Sequence, residues 1–372
     1  MSDKRIKHPY WIYETIMGAP EILSSWLEPA AESMIGEAAE RVVKREPRHI
    51  FFSGTGSSSL AALSQAFAFN EIAGIPASAH VTSELMHYAP AHFDSSSILV
   101  LNTHSGKSPG DVEMVQRAKD RGIYTVGVTD IPDTPFARAV DELLIGKDGP
   151  KHEMPSTRTY SSAIFRVLLL AISCAMKKGS VDSSVEYYEK VKRIPGCMRE
   201  FLNNFEPRAQ KIAELLKHYG VYYVISAGPN MATAIEGAMG LTQGTGMPAA
   251  GYNIDEYMHG QIQSLRHGVC VITVAPPGPF HDKIGRFAQC ARHIGADILM
   301  MAPEGSAFLD EHEMHVALPD SIPDVLTPAL YCVPFWQIGY FCSLINGLDP
   351  DTLSMVRQNF KDSGLAGLKK LV

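Results

Sequence analysis

A chain of 372 residues, 45% hydrophobic and 20% charged, has the composition of a globular protein with room for two cores rather than one. Its net charge of -7 argues against nucleic acid or an anionic membrane as the main partner. The six cysteines show no CxxC pairing and read as reduced thiols of a cytoplasmic protein; MSDKRIKHPYWIYE opens the chain without an apolar signal, and the most apolar stretch, Val167 to Met176, is too short to span a bilayer.

In chain order, the first 45 residues carry apolar positions at helical spacing, as in EILSSWLEPAAESMIGEAAERVV. A regular alternation follows. HIFFSG is a short apolar strand ending in glycine, SLAALSQAFAFNEIA an amphipathic helix, and ASAHVT a strand. SSILVLNT is a buried strand followed by a polar turn and the helix PGDVEMVQRAKDRG, whose Gly122 suits the position just past a helix end. YTVGVTD and DELLIG are further strands, and a long helix runs from about Thr159 to Lys178. Residues from Val181 to Tyr219 read as helical and link to a second series: strand VYYVISAG, helix NMATAIEGAMGLTQG, buried strand GVCVITVAPPG, helix DKIGRFAQCARHIG, strand ADILMMA and a closing helix from Pro328 to Asn346. Strands alternating with helices predict an α/β fold, each half a mostly parallel sheet with helices on both faces.

The halves also match residue by residue. GIPASAHVTSELMH (Gly74 to His87) and GMPAAGYNIDEYMH (Gly246 to His259) share six of fourteen positions at a constant offset of 172, where roughly one match is expected by chance. Two copies of one folding unit are therefore expected, divided as residues 1–195 and 196–372.

Four segments have the residue types for chemistry. GTGSSS (Gly54 to Ser59) lies between a strand and a helix, where glycines admit a ligand to the backbone and the hydroxyls of Ser57 and Ser58 suit an anion; ordinary helix capping is the competing reading. It has neither the GxGxxG spacing of a dinucleotide site nor the lysine of a P-loop. NTHSGKS (Asn102 to Ser108) again ends a strand: Thr103, Ser105 and Ser108 supply hydroxyls, and His104 and Lys107 sit beside them. Ligands of open parallel sheets lie beyond the carboxyl ends of strands, so two such loops predict one phosphate pocket. PSTRTY (Pro155 to Tyr160) opens the long helix, and capping by Ser156 and Thr157 explains it adequately. In IDEYMHG, Glu256 and His259 are three apart, on one helical face, and form a candidate acid/base pair; the equivalents Glu84 and His87 favour a structural role. The 14 histidines are scattered with no metal-ligand spacing, and no nucleophile elbow is present, so neither a metal nor a cofactor is expected.

Together these residues resemble the sugar isomerase (SIS) family, in particular the isomerase half of glucosamine-6-phosphate synthase and the fructosamine-phosphate deglycases, over nearly the whole chain. The resemblance implies two tandem SIS domains, a homodimer or higher homo-oligomer, and a small-molecule sugar phosphate as ligand. It places phosphate binding on Ser58 and on Thr103, Ser105 and Ser108, with His104 where glutamine is usual and Lys107 where glutamate is usual. MPSTR resembles the family's VASTK loop, which places Ser156, Thr157 and Arg158 at the sugar. DEYMHG resembles its GELKHG segment, so Glu256 and His259 match, the histidine being implicated in ring opening. Two positions depart. The family's enolising glutamate, 16 residues before that histidine, is Gln243 here, and Gln358 stands in place of its C-terminal lysine, with Arg357 and Lys361 nearby. A glutamine cannot accept a proton as a carboxylate does. The implied function is isomerisation, deamination or deglycation of a phosphorylated ketose, amino sugar or Amadori-type adduct through ring opening and C1/C2 proton transfer, with Glu256 as the candidate replacement base. The alternatives are a sugar-phosphate sensor that has lost catalysis, and an isomerase of a sulfonated or acidic sugar.

Overall fold

A computed structural model describes residues 4–352; the expected ligand Gln358, with Arg357 and Lys361, lies outside them. Ten strands form in chain order: β1 (His49–Gly54), β2 (Ala77–Val81), β3 (Ser97–Asn102), β4 (Tyr124–Thr129), β5 (Glu142–Ile145), β6 (Tyr222–Ser226), β7 (Ala249–Asn253), β8 (Cys270–Val274), β9 (Asp297–Pro303) and β10 (Met314–Leu318). They make two five-stranded sheets, ordered β2-β1-β3-β4-β5 and β7-β6-β8-β9-β10. Every pairing is parallel. The two sheets thus share one strand order, 2-1-3-4-5, which steps outward from its first strand and then crosses back to its third. That reversal opens a crevice beyond the carboxyl ends of strands one and three.

The described residues divide into two compact units, one of 19–151 and 158–195, the other of 4–18, 152–157 and 196–352. A linear boundary at residue 195 therefore misassigns two pieces. The segment 4–18 belongs with the second sheet's unit because Asp351 accepts hydrogen bonds from the Trp11 and Ile12 amides (3.0 and 2.8 Å), and Tyr340 OH bonds His8 Nδ1 at 2.8 Å. The segment 152–157 joins it through Met154 N–H donating to Asp351 O at 2.9 Å.

Each unit has its own apolar core. In the first, β3 is buried at all six positions, and Phe51, Leu99 and Leu101 pack with Met114, Val115 and Phe136. In the second, Ile225, Val271 and Met300 pack with Ile284, Phe287 and Ala288. Central strands buried on both faces read as continuous apolar runs, which is why SILVLN and CVITV were legible as strands. The edge strands β7 (AAGYN) and β10 (MHVAL) escape that reading: β7 is half-buried throughout and β10 alternates, so neither carries a continuous apolar signal. Two helical stretches, Arg158–Lys177 and Pro328–Ile345, are long and apolar enough to cross a membrane, but 89% of each is buried within the protein, as core helices are. Gly122 sits past its helix end with φ +72°, and the Gly122 and Ile123 amides bond back to Lys119 O and Ala118 O at 2.9 and 3.0 Å, a closure that a left-handed glycine permits. Six thiols are free; Cys174, Cys270, Cys332 and Cys342 are buried and Cys290 is exposed.

Candidate functional site

The crevice of the first unit lies between the loops that follow β1 and β3. After β1, the chain turns so tightly that a Cβ on Gly54 would meet the Ser58 carbonyl carbon at 2.5 Å, and Gly56 takes φ +61°. The turn leads into the helix Ser57–Ala68, whose N-cap is Gly56 with no side-chain cap. Ser59 Oγ turns back to Gly56 O at 2.8 Å. Half-buried Ser58 makes no side-chain hydrogen bond among the described residues. After β3, the helix Pro109–Asp120 begins behind Ser108, again without a side-chain cap. Capping, the competing reading of both loops, is therefore not what these hydroxyls do. Two helices of 12 residues each instead start at the crevice without a side-chain cap, although the Ser58 and Ser59 amides donate to Thr55 O and Gly56 O at 3.3 and 2.9 Å; the positive ends of both helix dipoles favour an anion.

The two loops are fixed to one another. Asn102 and Gln65 exchange amide hydrogen bonds of 2.8 and 3.0 Å, and Asn102 Nδ2 also donates to Ser53 O at 3.3 Å, so the end of β3 is bolted to the end of β1 and to the helix behind it.

Beneath the β3 loop lie charges that motif reading passed over. His104 Nδ1 is 2.8 Å from Asp130 Oδ2, and Asp130 Oδ1 is 2.9 Å from the Arg166 guanidinium, with both side chains 1% exposed. Burial opposes ionisation of Asp130, but Arg166 and His104 outweigh it and hold the carboxyl below its ordinary range. Gly146 makes room for this pair: a Cβ there would collide with Asp130 Oδ1 and an Arg166 nitrogen. Asp148 Oδ1 accepts from Arg158 Nε at 2.8 Å; burial and the nearby Asp130 push the Asp148 carboxyl up, and Arg158 and Arg166 partly offset them. Arg158, expected at the sugar, is thus already engaged by a buried carboxylate. Asp111, in the first turn of the Pro109–Asp120 helix, is 5% exposed. Burial raises its carboxyl to about 6, against the opposing hydrogen bonds from Thr103 and Ser108. Thr103 and Ser108, two of the three loop hydroxyls expected to hold phosphate, are thus the groups that oppose this rise. Ser105 Oγ accepts from the Lys107 amide at 3.4 Å, and the Lys107 side chain is exposed. Of Asp111, Asp130 and Arg166, only Arg166 had a sequence signal, as a charge within the apolar helix Arg158–Lys177.

The equivalent crevice of the second unit has different chemistry. Its turns read GPN and APPG, and Asn230 Nδ2 donates to Asp324 Oδ1 at 2.9 Å. The same Asp324 carboxylate stands 3.2 Å from the Cβ position of Gly278 and 3.8 Å from that of Gly228. A carboxylate in place of hydroxyls disfavours an anion there.

The second unit holds a small cavity of about 30 Å³, lined in part by Ser156, Thr157, Gln243, Trp336, Tyr340 and Ser343 and, among the described residues, by no carboxylate. Thr157 is 2% exposed, and its Oγ1 is buried with no hydrogen-bond partner among the described residues, so capping is not its role either. Gln243 is presented by the helix Met231–Thr245, which crosses the helix Val333–Ile345 so closely that a Cβ on Gly244 would collide with the Gly339 backbone. Gly244 of AMGLTQG is there for that crossing, whereas a Cβ on Gly240 would meet nothing within 4 Å. Glu256 and His259 are exposed, do not line the cavity, and do not bond to each other's side chains: His259 Nδ1 is 2.7 Å from Asp255 O. Their equivalents Glu84 and His87 are exposed on the helix Thr82–Tyr88.

The SIS domain family model matches residues 45–173, the stretch that carries β1 to β5 and both hydroxyl-bearing loops. Those residues are similar to the SIS domain. Among its relatives, a glutamine–fructose-6-phosphate aminotransferase (isomerizing) of Pseudomonas syringae is 26% identical over 85% of this chain and 51% of its own length. The chain thus spans about half the length of the curated relatives it matches. The C-terminal domain of glucosamine-fructose-6-phosphate aminotransferase from Francisella tularensis superposes with a TM-score of 0.83 at 19% identity, covering 93% of this chain and 98% of that one. Tagatose-6-phosphate ketose/aldose isomerase from Escherichia coli gives 0.77 at 17% identity, covering 93% and 95%. The SIS match and these superpositions bear out the expected resemblance, and the two parallel sheets flanked by helices the expected α/β class; the family model covers the first sheet.

Proposed function

We propose that this chain binds a sugar phosphate at the β1 and β3 loops and acts on it as an isomerase, deaminase or deglycase, through ring opening and proton transfer between C1 and C2. The pair of helix N-termini without side-chain caps after the adjacent strands β1 and β3, with the Ser58 and Ser105 hydroxyls on the same two loops, carries this reading. The relatives add weight: their names contain fructose 6-phosphate and tagatose 6-phosphate. In this reading Ser57, Ser58, Thr103, His104, Ser105, Lys107 and Ser108 bind the phosphate. Ser156 and Thr157 bind the sugar, with Arg158 and Gln358 as further candidates, and His259 assists ring opening. The second sheet is a second SIS domain, and the protein works as a cytoplasmic homo-oligomer without nucleic acid, membrane, metal or cofactor. The base remains to be supplied by Glu256 or another carboxylate. Glu236, buried on the helix that carries Gln243 and two turns before it, shares Gln243's face.

A second reading is favoured by one observation: Gln243 lines a cavity that no carboxylate among the described residues lines. A sugar-phosphate sensor needs the anion site and not the base. His104 and Lys107 also suit a sulfonated or acidic sugar. Incubation with fructose 6-phosphate, tagatose 6-phosphate and glucosamine 6-phosphate in deuterated water separates these readings. Deuterium at C1 or C2 of any of them supports the enzyme. Saturable binding without exchange overturns it in favour of the sensor.

A further inference from the structure

The second unit holds a larger cavity of about 510 Å³, within the roughly 300–1,000 Å³ of small-molecule sites. It shares no residue with the β1 and β3 loops or with the Gln243 cavity. Two helices build it. On Val333–Ile345, Trp336, Gly339, Tyr340 and Ser343 recur at helical spacing along the Gln243 cavity, while Phe341, Leu344 and Ile345 occupy a neighbouring face and line the larger one. Phe341 is buried, and Leu344 and Ile345 are half-buried. On Ile194–Leu216, Pro207, Gln210, Lys211 and Glu214 are spaced i, i+3, i+4 and i+7, a mostly polar stripe lining the same cavity.

That stripe has one unmatched charge. Glu214 is 2.5 Å from Lys217. Glu206, one turn before Gln210, accepts from Tyr13 OH and from Gln210 Nε2. Lys211 has no ion pair among the described residues. His8, also lining the cavity, adds a donor. Tyr340 OH accepts the Tyr10 amide at 3.4 Å and lies 2.8 Å from His8 Nδ1. Tyr340 is 2% exposed, and its one hydrogen has no other acceptor among the described residues. A buried hydroxyl hydrogen goes to an available acceptor, so Tyr340 donates to Nδ1 and His8 carries its own hydrogen on Nε2, which has no partner among the described residues.

We propose that this cavity is a second ligand site, for a small monocarboxylate with an apolar body of aryl size: Lys211 and His8 Nε2 donate to the carboxylate, and Phe341, Leu344 and Ile345 cover the body. A carboxylate meets an ammonium without a counter-charge there, and hydrogen bonds between charged groups are the stronger kind. A sugar phosphate fits poorly, because its hydroxyls would face the apolar side without partners. An amine of the same shape meets Lys211 as a like charge. The site goes beyond the sugar-phosphate reading and does not depend on it.

The probe is 3-phenylpropanoate, with 3-phenylpropylamine as the same body carrying the opposite charge. Titration calorimetry of the full chain should show saturable binding of the carboxylate, with the amine about tenfold weaker or not bound. Lys211→Met changes an exposed residue, keeps an apolar stem and removes the charge; it should weaken 3-phenylpropanoate about tenfold or more. An excess of fructose 6-phosphate should leave the affinity for 3-phenylpropanoate unchanged. Absence of saturable binding, equal binding of the amine, or wild-type affinity in Lys211→Met each overturns the proposal. So does competition by fructose 6-phosphate, which assigns the probe to the β1 and β3 loops instead. The amine and Lys211→Met comparisons involve no sugar phosphate, so this site and the sugar-phosphate reading fail separately.

Discussion

Replacing Asp111 by asparagine should stabilise the protein at neutral pH, although the substitution removes a charged residue and touches two loop hydroxyls. Burial moves the Asp111 carboxyl from an ordinary 3.8 to about 6. A raised acid binds more protons folded than unfolded between those values, so its contribution falls as pH rises through that window and stays low above it. At about 1.4 kcal/mol per tenfold change in proton affinity, the penalty carried at pH 7 approaches about 3 kcal/mol. Asparagine keeps the shape and can still accept from Thr103 and Ser108 through Oδ1. A gain of about 1–3 kcal/mol is therefore expected at neutral pH, shrinking toward zero near about pH 4. Urea denaturation of wild type and Asp111→Asn, side by side at the two pH values, reads it. A variant that is equally less stable at both would refute the assignment of Asp111 as a buried, ionised carboxylate beneath the loop.

Other expectations follow from the same contacts. Ser58→Ala with Ser105→Ala should weaken fructose 6-phosphate binding about 100-fold or more, at roughly 1.5–3 kcal/mol per hydroxyl bond to a charged group, with the circular dichroism spectrum unchanged. Gly54→Ala pushes a Cβ into the Ser58 backbone; it should cost about 1–3 kcal/mol of stability and reduce anion affinity, both measured on one preparation. Arg166→Met strands a buried Asp130 and should cost about 3–5 kcal/mol, more at neutral than at acid pH, because protonating Asp130 relieves the loss. In the sensor reading Gln243→Glu restores some C1/C2 exchange, whereas in the enzyme reading Glu256→Gln lowers wild-type exchange about 100- to 10,000-fold if Glu256 is the base. Exchange unchanged by that substitution removes Glu256 from the role.

The sequence by itself determined the alternation of elements, the glycine turns after β1 and β3 and the hydroxyls on them. These are local properties: a continuous apolar run must be buried on both sides, and a glycine pair at a strand end marks a tight turn whatever lies elsewhere. The constant offset between the halves also placed β7 opposite β2, although AAGYN has no strand pattern of its own. Only the tertiary structure decided the rest, because it depends on residues distant in sequence. Residues 4–18 fold with the second sheet because the Asp351 carboxylate accepts the Trp11 and Ile12 amides. Arg158 is occupied because Asp148 meets it from the end of another strand. Glu256 and His259 share a helical face in sequence, yet the helix stops at Met258 and the imidazole turns to a backbone carbonyl instead. Asp111, Asp130 and Arg166, on three separate segments, became buried only when the fold closed around them: burial acts on the protonation of the two carboxyls, and burial is a property of the packed chain.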